Sequence, residues 1–218
     1  MNRIFILSPA QCTGRRAAIL LSARAAFPLA RRLRSEEGAP LGEVFAFLSG
    51  LYFRGKLAYA RAFARPPAGL SGALVITPSR GLRPAEEPIT AACLREFATV
   101  AIDATEARYR EPLARDAGRL FATAGTDCEI VLLGSVATPK YVDLLHERFG
   151  ERARFPAEFV GRGDMSRGGL MLRCVDEGRE LEYLSLDGTM RRGPRPPKLA
   201  PRRPVVTGEV QQPPGGKP

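Results

Sequence analysis

Apolar residues in this chain fall into short, nearly continuous runs separated by stretches of helical periodicity. Arg3 to Ser8, Ala73 to Thr77, Glu129 to Leu133 and Arg154 to Val160 have the length and apolar density of buried strands. Between the first two, residues 23–65 read as mainly helical. An Arg/Ala/Leu-rich stretch over 23–37 breaks before Pro28, and Gly38-Ala39-Pro40 makes a turn. An amphipathic segment from Gly42 to Ala64 follows, with breaks at Gly50 and Gly55, since glycine disfavours a helix interior. Its Phe and Leu residues are placed on the sheet, with Arg and Lys outward. Thr90 caps a helix to about Ala98. Pro112 to Ala124 and Lys140 to Phe149 are further helices. Leu170–Val175 and Glu180–Leu186, joined by Asp176-Glu177-Gly178-Arg179, predict a C-terminal antiparallel β-hairpin. The alternation predicts one α/β domain over 1–190, a mainly parallel sheet flanked by helices.

Ligands of such sheets bind beyond the carboxyl ends of the strands. Those ends are polar here: Ser8, Gln11 and Thr13; Thr77, Ser79 and Arg80; Ser135, Thr138 and Lys140; Arg162, Asp164, Ser166 and Arg167. The last set lies in a predicted loop, Arg162-Gly163-Asp164-Met165-Ser166-Arg167, rich in glycine and able to fork arginines onto phosphate or carboxylate oxygens. A helix starting near Thr13 to Arg16 would add free N–H groups and the charges of Arg15 and Arg16. The convergence points to an anionic ligand, a nucleotide or nucleic-acid phosphate. Asp164 is placed either as a general base or as an ion pair that orders the loop. His146 is the only histidine and falls on the solvent side of its helix, so no Ser-His-Asp triad and no histidine metal site is expected. Cys12 reads as a packing residue or a thiolate near a helix start. Alternating aromatic and cationic residues over 43–59 fit either base stacking or helix packing.

Charge adds a second feature. The net charge is +10, and seven Lys/Arg against one Asp/Glu fall in residues 191–218. That stretch is dense in Pro and Gly, which predicts a disordered basic tail with affinity for polyanions. The four cysteines are widely spaced, which fits a reduced, cytoplasmic protein. No apolar run approaches the roughly 18 residues of a membrane span, and the first residues lack the h-region of a secretory signal. No cofactor and no metal is expected.

Several short motifs, in order, resemble the YaaA family of bacterial peroxide-stress proteins. They are Leu7-Ser8-Pro9-Ala10 after the first strand, then Ala46-Phe47 with Tyr52 and Gly55-Lys56-Leu57, then Leu82-Arg83-Pro84, then Ser135 and Tyr141, and finally Arg162-Gly163-Asp164-Met165-Ser166-Arg167. The last is the most specific. Gln11 stands where the family has a lysine, and the third motif lacks its Gly-Leu-Tyr-Gly part. The resemblance implies an α/β fold with a positively charged cleft, DNA binding and a role against oxidative damage. It adds Arg83, Tyr141 and Gly163 to the candidate site and implies no catalytic mechanism.

Three function classes follow. The first is a nucleic-acid-binding protein, with DNA favoured over RNA, that holds phosphates through Arg15, Arg16, Arg80, Lys140, Arg162 and Arg167. The second is an enzyme of glycosidase or transferase type acting on a nucleotide or nucleobase, with Asp164 as base and Ser8 and Ser135 positioning the substrate. The third is a scaffold whose Pro/Arg tail binds a partner protein.

Overall fold

The computed structural model describes residues 1–137, 139–187, 193–197 and 199. The chain runs β1 (Asn2–Leu7), α1 (Arg15–Leu21), α2 (Pro28–Arg34), β2 (Ala39–Pro40), α3 (Leu41–Ser49), α4 (Leu51–Phe63), β3 (Ala73–Ile76), β4 (Leu82–Pro84), β5 (Pro88–Ile89), α5 (Ala91–Ala98), α6 (Ala107–Thr123), β6 (Cys128–Leu133), α7 (Pro139–Phe149), β7 (Ala153–Pro156), α8 (Asp164–Asp176) and β8 (Tyr183–Ser185). Six strands form one mixed sheet in the order β4-β3-β1-β6-β7-β8. Its inner strands β3, β1, β6 and β7 are parallel, and the edges β4 and β8 are antiparallel. β2 and β5 pair separately.

Strand alternation divides the core in two. Phe5 and Leu7 of β1 point to one layer with Val75, Val131 and Leu133, covered by α1 to α5 and α8. Ile4 and Ile6 point to the other with Ile76, Ile130 and Leu132, covered by α6 and α7. Both faces of β1 and β6 are therefore covered, which is why these strands read as continuous apolar runs.

Two contacts fix the frame. In the first layer, α4 and α8 cross backbone to backbone. A Cβ on Gly55 would lie 2.6 Å from the Gly168 carbonyl oxygen, and one on Gly168 would lie 2.8 Å from both the Leu51 carbonyl oxygen and Tyr52 Cα. At the amino ends of the parallel strands, an ion network ties the sheet together. Glu129 of β6 accepts from Arg3 of β1 at 2.7 Å and pairs with Arg154 of β7 at 3.0 Å. Arg3 also pairs with Glu180, which accepts from Tyr183, and the Tyr183 and Tyr59 hydroxyls lie 2.7 Å apart.

The α/β architecture and mostly parallel sheet agree with the sequence pattern, and Thr90 caps α5 by accepting from the Cys93 N–H. Gly50, at φ 64°, separates α3 from α4 as expected. Several expectations are corrected. The C-terminal hairpin does not form: residues 170–175 are helical within α8, and β8 pairs with β7. Leu170, Met171 and Cys174 are buried at helical spacing, and Gly168 serves the crossing with α4 rather than a turn. The predicted loop at 162–167 is largely the first turn of that helix. α4 continues through Gly55, β7 stops at Pro156 before a 3-10 turn, and α6 begins five residues before Pro112. The tail expected over 191–218 lies mostly outside the described residues; 193–197 and 199 carry no helix or strand, and Leu199 packs against the first core layer. Among the described residues no helix is long and apolar enough to cross a membrane.

Replacing Gly168 with alanine forces α8 off α4 and is expected to lower stability in urea unfolding by about 3 kcal/mol, the upper part of the overpacking range. Glu129→Ala removes the acceptor shared by Arg3 and Arg154, leaving Arg3 with Glu180 and Arg154 with the Tyr183 carbonyl, and is expected to cost about 3 kcal/mol by the same measurement.

Candidate functional site

The chain leaving β1 enters the first helical layer and returns as β3 on one side. The chain leaving β6 enters α7 in the opposite layer and returns as β7 on the other side. The loops after β1 and β6 therefore diverge, and a crevice opens between them at the carboxyl ends of two adjacent strands.

This crevice has a volume of about 430 Å³ and is lined by Ser8, Gln11, Ser49, Tyr52, Ser135, Lys140, Tyr141 and Asp164, with Pro9 and Ile102. A second cavity of about 440 Å³ shares Gln11, Ile102 and Lys140 and extends toward Thr13 and Pro78. Together they form a polar trough along the ends of β3, β1 and β6.

Behind Ser8 lies Lys56 of α4, which is 1% exposed. Its Nζ donates to the Ser8 carbonyl oxygen at 2.7 Å and to Ser8 Oγ at 2.9 Å. The rings of Tyr52 and Phe53 each lie 4.5 Å from the ammonium. Burial pushes the amine down to about 7, opposed by the Asp164 carboxylate and assisted by the Arg167 guanidinium. On the other side of Ser8, Tyr141 Oη accepts from the Ser135 N–H at 3.0 Å and shares a hydrogen bond with Ser8. Gly134 makes room for this contact, because a Cβ there would meet Ser8 Cβ at 2.8 Å and Tyr141 Oη at 3.0 Å. Ser8 thus sits between an amine and a phenol.

The wall from α8 is also organised. Arg167 is buried and donates from Nε and Nη2 to the Phe159 carbonyl at 3.2 and 3.0 Å, while Nη1 reaches Asp164 Oδ1 at 3.5 Å. Asp164 is exposed at the rim. The Tyr52 hydroxyl is buried in the lining beside Arg167 and, among the described residues, has no hydrogen-bond partner of good geometry. Burial raises its pKa, so it stays a neutral donor.

The structure brings together Ser8, Gln11, Ser135, Lys140, Tyr141 and Asp164 from the sequence-derived set. Other members have different roles. Arg16 donates to the Phe47 carbonyl at 3.2 Å, at the end of α3, and lines a separate cavity with Glu43 and Arg54. Arg80 and Ser79 are both held by Glu96, at 3.2 and 2.6 Å. Arg83 is bound to Glu87 at 2.9 Å. Arg167 forks onto a backbone carbonyl inside the protein. Thr13 lies in the adjoining cavity and accepts from Gln11 at 2.7 Å, and Arg15 is exposed at the start of α1. Arg162, Gly163 and Ser166 line a separate groove with Arg173 and Arg195. Thr138 lies outside the described residues. Cys12 is buried, and burial lifts its thiol to about 12, so it is no thiolate.

Lys56 and Tyr52 are the additions. The lysine of this helix, expected outward on an amphipathic segment, is buried. The signal was present: Tyr52, Phe53, Lys56, Tyr59 and Ala60 share one buried helical stripe, with Lys56 in its centre.

Comparison with protein-family models, with curated proteins and with solved structures finds no match to this chain.

The folded state holds Lys56 near 7 against 10.5 when unfolded, so between these values the unfolded chain carries a proton that the folded chain lacks. Stability therefore gains a contribution that rises with pH above about 7. Lys56→Met removes it. In urea unfolding from pH 7 to 9, the stability of the wild type relative to Lys56→Met is expected to rise by about 1 kcal/mol per pH unit.

Proposed function

We propose that this chain binds nucleic acid, DNA foremost, by taking a phosphate-bearing nucleotide unit into the crevice between β1 and β6. The observation that carries this reading is the convergence of the loops after β1 and β6 with the start of α8 on one polar cavity of nucleotide size at the switch point of the sheet. Lys140 lines both halves of the trough. Arg162 and Arg195 line a neighbouring groove reached from the same turn of α8, which gives a strand a path onward from the crevice. The motif resemblance to the YaaA family supports the same ligand. The cationic contribution is narrower than the sequence suggested, because Arg16, Arg80, Arg83 and Arg167 have partners within the protein.

A second reading is an enzyme acting on a nucleotide or nucleobase. The specific observation in its favour is the buried Lys56 against Ser8, an arrangement that simple phosphate binding does not require.

Fluorescence anisotropy against duplex DNA, single-stranded DNA and free nucleotide tests the first reading. Binding should weaken with salt, with a log–log slope of about −0.9 per phosphate contacted on duplex DNA. Lys140→Glu should weaken it about tenfold or more, and removal of residues 200–218 should leave crevice binding in place. A flat salt dependence, or complete loss of binding with those terminal residues, sinks the proposal.

A further inference from the structure

Ser8 and Lys56 divide their positions in a way that assigns them roles. Ser8 lines the crevice; Lys56 does not, and at 1% exposure it cannot touch a ligand there. Its amine nevertheless ends 2.9 Å from Ser8 Oγ, with Tyr141 on the far side of the same hydroxyl. A lysine serving only to cap the end of β1 would need the Ser8 carbonyl, which Nζ already contacts at 2.7 Å. The second contact, to the hydroxyl of a residue that lines the ligand space, is the surplus. We propose that Ser8 is a nucleophile toward a phosphoryl centre held in the crevice, and that Lys56 is the general base that takes its proton.

The inference rests on the reading of the crevice as a phosphate-ligand site and adds a reaction to it. Ser8 Oγ attacks phosphorus. The Oγ–P bond forms as the bond from phosphorus to the leaving oxygen breaks. The hydroxyl proton passes to the neutral Lys56 amine, and the leaving oxygen, on the far side of phosphorus, takes its proton from water in the open crevice. Water then attacks phosphorus and loses a proton to solvent as the Oγ–P bond breaks, and the Lys56 ammonium returns its proton to Ser8 Oγ. The substrate class is a phosphoester of nucleotide type. Tyr52 lines the crevice with its hydroxyl buried in the wall, beside Arg167.

The charge state of Lys56 is set by the groups around it. Asp164 and Arg167 face it from α8, Tyr52 lies on its own helix, and Tyr141 and Lys140 belong to α7 beyond Ser8. Of these, Asp164 favours the ammonium and Arg167 opposes it, while burial holds the amine near 7. His146 pairs with Asp187 at 3.3 Å and does not line the crevice.

The test uses diisopropyl fluorophosphate, whose fluoride stands in for the leaving oxygen. The full chain is treated at pH 5.5 to 9, and adducts are mapped by peptide mass spectrometry. The expected result is an adduct on Ser8 whose rate rises about tenfold per pH unit and levels off above a midpoint near 7, with Lys56→Met slower by about a hundredfold or more. The pH profile is read on the unaltered protein, so the test stands even if Lys56→Met does not fold. No adduct on Ser8, or one whose rate ignores both pH and Lys56, overturns the proposal. DNA and nucleotide anisotropy on the same preparations separates the two readings. Binding without a Ser8 adduct overturns the reaction alone. A Ser8 adduct in protein that binds neither DNA nor nucleotide overturns the phosphoester substrate and, with it, the binding reading.

Discussion

The close crossing of α4 and α8 is the constraint on which the site depends. Two glycines, Gly55 and Gly168, let the backbones touch, and no side chain stands between them. The neighbouring residues inherit the geometry. Lys56 follows one glycine and Arg167 precedes the other, so both cations are carried into buried positions. Neither is left bare: the Ser8 carbonyl and hydroxyl meet Lys56, and the Phe159 carbonyl and Asp164 meet Arg167. Burying a charge is costly, and here the cost is met in part by lowering the affinity of Lys56 for its proton. A packing requirement between two helices thus sets the acid–base character of a group beneath the strand ends.

The two ends of the sheet use charged residues differently. At the amino ends, Arg3, Glu129, Arg154 and Glu180 satisfy one another and close the sheet. At the carboxyl ends, polar side chains converge without filling the space. Much of the positive charge that the sequence placed at that second end is bonded within the protein instead. Arg16 ends α3, Arg80 ties the loop after β3 to α5, and Arg83 of β4 pairs with Glu87 four residues on. A high arginine content therefore reads in part as scaffolding.

The strands were legible because both faces of β1 and β6 are covered, leaving unbroken apolar runs. The ligand end of the sheet was legible for the same reason, since parallel order dictates where the loops gather. The region after residue 160 was misread. Gly168 and Gly169 carry the local signature of a turn, yet Gly168 is placed by a helix more than a hundred residues earlier, and only the tertiary contact reveals this. Lys56 was misread for a related reason. Lysine is normally outward on an amphipathic helix, and its burial depends on Ser8, 48 positions away. The pairing of Arg80 with Glu96 and of Arg16 with the end of α3 likewise lies beyond local pattern.

The position of β1 has a consequence in time. It is the first strand of this chain and an inner strand of the sheet, and both partners come later. Its β3 neighbour starts at Ala73, and the Glu129 that closes on Arg3 lies 126 positions away. As the chain emerges during synthesis, the earliest strand waits with two open edges while α1 to α4 are made. Those helices are the ones that cover the face carrying Phe5 and Leu7, so the wait can begin under a partial cover. The opposite face, with Ile4 and Ile6, stays open until α6 and α7 appear. Such long-range closure is slow and exposes apolar edges to other chains. The order of elements in this sequence thus makes its central strand the part most dependent on finishing the rest.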